Sequence, residues 1–260
     1  ILVVRLWTIG EGILTLPMIH TLRKKFPNTR ISVLVTKRSK DIFIGNKDID
    51  EIINFNLGNL GLFRKFDLVV DTEPYFKLSA LLSFYLGKKR IGFSHGVRSL
   101  LYTDKVKFND KQHAVLTFLD LSKVVGAWYK PDKLIKLWVS DNDKRMVEDY
   151  LKKLGIKKRD FLVGITPGAA ESAKHRMWPT ERFAELADKL IERYKTKIIF
   201  IGKDKNLVKK IQKLMKYPSF DSGSLSLKQV IYLIEKCRLF ISNDTGPMHI
   251  GAAQGVKTIG

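Results

Sequence analysis

Three stretches of this chain hold residue types that can do chemistry at a usable spacing. The first is Phe240–Ala253, FISNDTGPMHIGAA. It ends an apolar, strand-like run in a polar turn, Ser242–Gly246, and then enters an Ala/Gly-rich helix with Pro247 at its first position. A turn of small residues before a helix start gathers free backbone N–H groups and the positive end of the helix dipole at one spot, which suits an anion. Thr245 and Gly246 offer those N–H groups, and His249 lies within reach in the first turns of the helix. Asp244 cannot favour an anion, so it is expected to bind hydroxyls or hold the turn. The alternative is an ordinary strand-to-helix turn in which Asp244 is only the N-cap.

The second stretch is the loop Thr166–Pro179, TPGAAESAKHRMWP. Gly168 and its small neighbours permit close backbone approach to a ligand, and Lys174, His175 and Arg176 add positive charge. Trp178 reads as an anchor for the helix that follows. Lys174 is expected at the same sheet edge as Asp244–Gly246, and two anion-friendly features there suggest one diphosphate. The third is the turn Trp7–Gly12, where Glu11 stands between Gly10 and Gly12 at the end of the first strand. Ligands bind at that edge of open α/β sheets. Thr15 occupies the place of a third glycine, so the dinucleotide fingerprint is incomplete. Glu11 is then a general base facing an interdomain cleft, or a solvated side chain in a tight turn. A basic group, Arg64, Lys65, Lys88–Arg90 and Arg98, is either a solvated surface or the attractor of an acidic acceptor.

The elements that must position these residues follow from hydrophobic period. Ile1–Leu6, Ile31–Val35, Ile52–Phe55 and Leu68–Asp71 read as strands, Leu14–Phe26, Leu78–Leu86 and Val115–Val125 as helices. Ser94–Lys111 has no clear period and reads as loop. Lys130–Asp132 looks like linker, and Asp141–Leu154 is a charged amphipathic helix. A second series begins with Phe161–Pro167, then helix Glu181–Tyr194, strand Ile198–Gly202 and helix Leu207–Met215. Ser226 and Gln229 have capping-box spacing and open a helix to Cys237. Strand–helix alternation of this kind predicts doubly wound parallel sheets, here in two domains, 1–154 and 155–260, facing across a cleft.

Composition narrows the partners. The 260 residues carry 47 Lys+Arg against 26 Asp+Glu, a net charge of +21. This favours anionic partners, whether nucleic acid, acidic head groups or phosphorylated sugars. The single cysteine, Cys237, excludes an internal disulfide and fits a reducing compartment. No run is long enough to span a bilayer, and no leader is visible. The chain opens inside a strand and stops as another starts, so residues are expected to be missing at both ends. No His/Cys/Asp spacing suggests zinc, and His20, His95 and His113 read as structural or surface residues. There is no Walker A loop and no nucleophile elbow.

Three segments resemble the lipopolysaccharide heptosyltransferase family: IGEGILTLP, PGAAESAKHRMWPTERFAELADKL and SLSLKQVIYLIEKCRLFISNDTGPMHIGAA. The resemblance implies a GT-B fold of two Rossmann-like domains, and an inverting glycosyltransferase that needs no metal or other cofactor. Its donor would be a nucleotide-sugar, ADP-heptose. Its acceptor would be an anionic glycolipid of the lipopolysaccharide core, reached from the cytoplasm at the inner membrane face. It implies donor contacts at Thr166, Gly168, Lys174, Arg176, Leu225, Asp244, Thr245, Gly246 and His249, with Lys174 on the donor phosphates and Arg176 able to share that role. It puts Glu11 where the family has a catalytic Asp, one methylene longer here. Arg64, Lys88, Arg90 and Arg98 would face the acceptor. Against this stand a nucleotide-sugar epimerase or hydrolase on the same scaffold, a basic nucleic-acid-binding protein, and a family member that has lost activity. The nucleic-acid alternative lacks RNA-binding aromatics or a helix-turn-helix signature.

Overall fold

A computed structural model describes residues 1–56, 64–129, 131–169, 174–175 and 177–260. The chain forms two compact units, Ile1–Trp138 and Val139–Gly260.

The first unit holds a parallel six-stranded sheet. Its strands are β1 (Leu2–Arg5), β2 (Ser32–Val35), β3 (Glu51–Asn54), β4 (Phe66–Asp71), β5 (Gly87–Phe93) and β6 (Asp104–Val106), in the order β3-β2-β1-β4-β5-β6. The chain winds outward in both directions from β1 and β4. Their C-terminal ends therefore flank the point where the winding reverses and a crevice opens. Helix α1 (Ile9–Lys25) leaves β1, followed by the short α2 (Lys40–Phe43), then α3 (Lys77–Leu86) and α4 (Ala114–Lys123). Helix α1 is buried on nearly every side, from Gly10 to Leu22, and packs on α4. Leu2, Val4, Leu34, Val69 and Leu86 are a core cluster of the unit.

The second unit opens with α5 (Asp141–Lys153). Its sequence placed this helix before the domain boundary, but it packs on a helix of the second unit, with Tyr232 donating to Glu148 at 2.7 Å. The strands are β7 (Leu162–Thr166), β8 (Lys197–Phe200), β9 (Phe220–Asp221), β10 (Leu239–Ser242) and β11 (Lys257–Ile259), all parallel, in the order β11-β10-β7-β8-β9. Between them run α6 (Thr180–Tyr194), α7 (Lys205–Leu214), α8 (Leu227–Lys236) and α9 (Gly246–Ala253). The capping box of α8 is present in both directions: Gln229 N–H donates to Ser226 Oγ at 3.3 Å, and Ser226 N–H to Gln229 Oε1 at 3.0 Å. Here the winding reverses between β7 and β10, the strands that carry the loop Thr166–Pro179 and the turn Asn243–Thr245.

Three expectations change. The turn Trp7–Gly12 is only a turn as far as Thr8, because α1 already begins at Ile9. The basic run Lys88–Arg90 lies within β5, an interior strand. Ser94–Lys111 holds a 3-10 turn, Val97–Leu101, and the edge strand β6.

Candidate functional site

In the first unit the site grows from the exit of β1. Thr8 is the N-cap of α1: its Oγ accepts Glu11 N–H at 3.3 Å and donates to Glu11 Oε2 at 3.1 Å. Glu11 therefore stands in the first helical turn, where the positive dipole end favours a carboxylate. The spacing Thr8-x-x-Glu11 is a capping-box signal that was legible in the sequence. The two glycines, poor helix formers, hid it.

Arg5, the last residue of β1, is fully buried and forms an ion pair with Glu11 Oε2. Its Nε lies 3.6 Å from Glu73 Oε1, it donates to the Thr72 carbonyl at 3.1 Å, and its guanidinium lies over the Phe118 ring. Glu73 in turn accepts the N–H groups of Leu6 and Trp7, at 2.7 and 3.0 Å. A buried guanidinium is costly unless paired. Two carboxylates converging on Arg5 supply that pairing at the exit of β1, although the Arg5 Nε makes no hydrogen bond among the described residues. Among the described residues every hydrogen bond to the Glu11 carboxylate goes to Oε2. Oε1 is left for another donor on a side chain that is 41% exposed. Sequence reasoning missed Arg5 and Glu73. An Arg inside ILVVRL, which interrupts a buried strand, was the available signal.

Behind β4 and β5 a second buried pair forms. Arg98 donates to Asp71 Oδ2 at 3.0 Å, to the Pro74 carbonyl at 2.7 Å, to Ser79 Oγ and to Tyr102 Oη, while Tyr102 donates to Asp71 at 2.6 Å. Burial pushes the Asp71 carboxyl up to about 6, against the pull of Tyr102 and Arg98. The four arginines and lysines read as an acceptor surface do not come together. Arg64, Lys88 and Arg90 lie where β4 and β5 begin. Lys88 pairs with Asp67 at 2.9 Å, and Arg90 donates to the carbonyls of Gly87, Lys88 and Leu101. Arg98 lies beyond the other end of β5 and is buried.

In the second unit the expected donor residues among those described lie at or past the C-terminal ends of β7, β9 and β10, one edge of one parallel sheet. Asn243, 7% exposed, binds two of these loops together. Its amide donates to the Pro167 carbonyl at 2.7 Å, its Oδ1 accepts Trp178 N–H at 3.1 Å, and its own N–H reaches the Thr166 carbonyl at 3.4 Å. Both ends of the loop that carries Gly168 and Lys174 are thus tied to the turn that carries Asp244, Thr245 and Gly246. Lys174 itself is exposed, and its carbonyl accepts Met177 N–H at 3.0 Å, one residue before the clamped Trp178. Arg176 and residues 170–173 lie outside the described residues. Trp178 is less of a core anchor than its sequence suggested: it is 44% exposed and packs edge-on against Phe183.

The N-cap of α9 is Thr245, not Asp244, and its side chain makes no capping bond; Thr245 Oγ donates instead to the Asn243 carbonyl at 3.2 Å. With Pro247 in the first turn lacking an N–H, the Gly246 end of α9 is a short, uncapped N-terminus beside the clamped loop. Thr166 is 4% exposed, and its Oγ has no hydrogen-bond partner among the described residues. Leu225 is half-buried in the turn after β9, Asp244 is exposed, and His249 is half-buried on α9. Asp204, after β8, caps α7 by accepting Leu207 N–H at 3.0 Å. No group of His, Cys, Asp and Glu suited to a metal occurs among the described residues. Cys237 is buried, with its thiol pushed up to about 12 by desolvation.

Gly251 sets how closely α9 approaches the sheet. A Cβ there would lie 2.6 Å from Thr258 Oγ and 2.8 Å from Phe240 Cδ1. Gly251→Ala must push α9 away from β10 and β11 and so move the Gly246 N-terminus. We expect overpacking to cost about 1–3 kcal/mol of stability, measured by chemical denaturation.

The structure resembles solved proteins over nearly its whole length. A family 9 glycosyl transferase from Veillonella parvula superposes with a TM-score of 0.88 at 24% identity, covering 99% of this chain and 78% of that one. The E. coli heptosyltransferase WaaC solved with ADP gives 0.77 at 18% identity, covering 99% and 85%. These likenesses establish the fold as GT-B, built from two Rossmann-like units. Among sequences, lipopolysaccharide heptosyltransferase 2 of E. coli is 26% identical, over 94% of this chain and 77% of its own length. Lipooligosaccharide heptosyltransferase 2 of Haemophilus ducreyi is 24% identical over the same shares. The profile of glycosyltransferase family 9 (heptosyltransferase) matches residues 61–260. The chain belongs to glycosyltransferase family 9, and its two-unit, parallel-sheet fold is that of a glycosyltransferase.

Proposed function

We propose that this enzyme transfers a heptose from ADP-heptose to an acidic sugar of the lipopolysaccharide core, with inversion at the anomeric carbon and without a metal. The relatives support the substrates, being heptosyltransferases of lipopolysaccharide and lipooligosaccharide, one of them solved with ADP. The observation that carries the chemistry is the Glu11 carboxylate, with Oε2 anchored by Arg5 and Thr8 and Oε1 open.

An acceptor hydroxyl is a weak nucleophile until its proton is removed, and Glu11 Oε1 is the base that takes it. The oxygen then attacks the anomeric carbon from the face opposite the leaving diphosphate, which gives inversion. As the glycosidic bond breaks, its electron pair passes to ADP. The N–H of Gly246, the positive end of α9 and Lys174 stabilise that charge. Asn243 acts through the backbone, holding the Lys174 loop and the Thr245 turn in one arrangement. Asp244 is assigned to the donor's hydroxyls, His249 with Thr245 and Gly246 to its diphosphate and nucleotide, Leu225 to the adenine, and Thr166 and Gly168 to the close backbone approach beside it.

Thermal-shift screening against ADP, UDP and GDP tests the donor: ADP should stabilise most. Lys174→Ala should weaken ADP binding and lower turnover by about 10–100-fold, the worth of one charge-assisted hydrogen bond. Loss on Arg176→Ala but not on Lys174→Ala would move the phosphate contact to Arg176.

A further inference from the structure

Helix α3 is apolar on its outer side as well as its inner one. Ser79, Ala80 and Ser83 face inward, while Leu78, Leu81 and Phe84, at i, i+3 and i+6, are 38%, 55% and 43% exposed. The 3-10 turn that touches α3 repeats the pattern. Val97 and Leu100 are each 74% exposed and, at i and i+3 of a 3-10 helix, share one face. Between them Arg98 turns inward to Asp71, Pro74, Ser79 and Tyr102. Leu86 is buried in the core and Leu82 and Tyr85 pack against it, yet the outer side of α3, where a surface helix ordinarily carries polar residues, presents Leu78, Leu81 and Phe84. Trp7, 59% exposed, packs on Phe76 at the start of α3, which places the Trp7–Thr8 turn beside that helix. Scattered exposed leucines need no explanation, but a contiguous face of them marks an interaction site.

Cations border this face. Lys77 precedes Leu78 and is exposed, with no ion pair among the described residues. Lys107, equally exposed and unpaired among those residues, adjoins Phe108, whose ring packs on Tyr75 just before α3. The Arg90 guanidinium lies over the Phe84 ring. In a chain of net charge +21, a rim of cations disfavours a second copy of the same face and favours an anionic partner. Apolar side chains ringed by cations match a bilayer surface with acidic head groups, where each element has its layer.

We propose that α3 and the 3-10 turn Val97–Leu101 dock the first unit on an anionic membrane, with Leu78, Leu81, Phe84, Val97 and Leu100 entering the head-group boundary. This extends the proposed reaction, since a membrane-borne acceptor would then meet the Trp7–Glu11 turn at the edge of the docked face. The docking itself does not depend on that reaction.

The test uses the purified chain and vesicles without acceptor or nucleotide-sugar. It should sediment with vesicles containing phosphatidylglycerol and much less with phosphatidylcholine alone. Leu81→Glu combined with Leu100→Glu should lower that binding by more than about tenfold, while thermal stability and ADP-induced stabilisation stay as in the wild type. Equal binding by the variant, or binding indifferent to phosphatidylglycerol, overturns the proposal. So does a wild-type dimer in light scattering that the variant dissolves, which would make the face a self-interface. A failed transfer assay with a soluble core sugar would instead count against the proposed reaction and leave the vesicle result standing.

Discussion

Glu11→Ala lowers turnover of sugar transfer by about 10²–10⁴-fold, the usual worth of a general base, and leaves ADP affinity nearly unchanged. The separation follows from where the residue sits. Glu11 belongs to the first unit, while the helix N-terminus and the Asn243-clamped loop belong to the second. Removing a carboxylate from one should not disturb diphosphate binding in the other. Glu11 also has a structural duty, because Arg5 is fully buried and pairs with it. The alanine variant leaves Arg5 with Glu73 as its anionic partner, at 3.6 Å, so some stability is lost as well. Glu11→Gln separates the two roles. It can still accept from Arg5 and Thr8 through its amide oxygen, but it cannot take a proton. A glutamine variant that folds with near wild-type stability, binds ADP and does not transfer assigns Glu11 to the chemistry. One that transfers normally makes Glu11 only the partner of Arg5 and the cap of α1.

Much of this was readable before the structure, and the parts that were not share one cause. Strands with continuous apolar runs, such as Ile198–Phe200 and Phe240–Ile241, announce themselves because both faces of a parallel sheet are covered. Strand β5 did not. It opens with Gly87, Lys88, Lys89 and Arg90, and only Ile91–Phe93 are apolar and buried. Gly87 is required there by contact: a Cβ would lie 2.4 Å from Val69 Cγ2 on β4. Gly92 likewise makes room for the Tyr102 ring, 2.3 Å from where its Cβ would be. Such glycines read as loop in a sequence, although they record close approach. The turn DTGPMH and the capping box of α8 are local features set by neighbours in the chain. The carboxylate–arginine pairs Arg5–Glu73 and Asp71–Arg98 join residues far apart in the chain, and no spacing rule reveals them. Arg98 shows the consequence: one residue in a row of cations is drawn inside by an aspartate 27 positions away.

Asp71→Ala should destabilise the first unit by about 3–5 kcal/mol, because removing one partner of a buried pair strands the other charge. Arg98 would keep the Pro74 carbonyl, Ser79 and Tyr102, yet among the described residues no carboxylate would remain paired with it. Arg98→Met alone should also be costly, leaving a buried Asp71 that has lost its cation and is driven to take up a proton. The double variant should lose much less than the sum, and a denaturant double-mutant cycle measures the difference as a coupling energy. The pair also carries a pH signature. The Asp71 carboxyl is raised by burial to about 6 in the folded protein, against about 3.9 unfolded. The folded state then binds the extra proton between those values. The stability this group contributes is complete below about pH 4 and is lost as pH rises through about 6. A two-unit shift corresponds to about 3 kcal/mol at most. Asp71→Asn cannot titrate, so wild-type stability should fall relative to the asparagine variant across that interval and run parallel to it above. Additive single variants would show that the pair is not coupled, and parallel curves from pH 4 to 6 would show that Asp71 is ionised throughout.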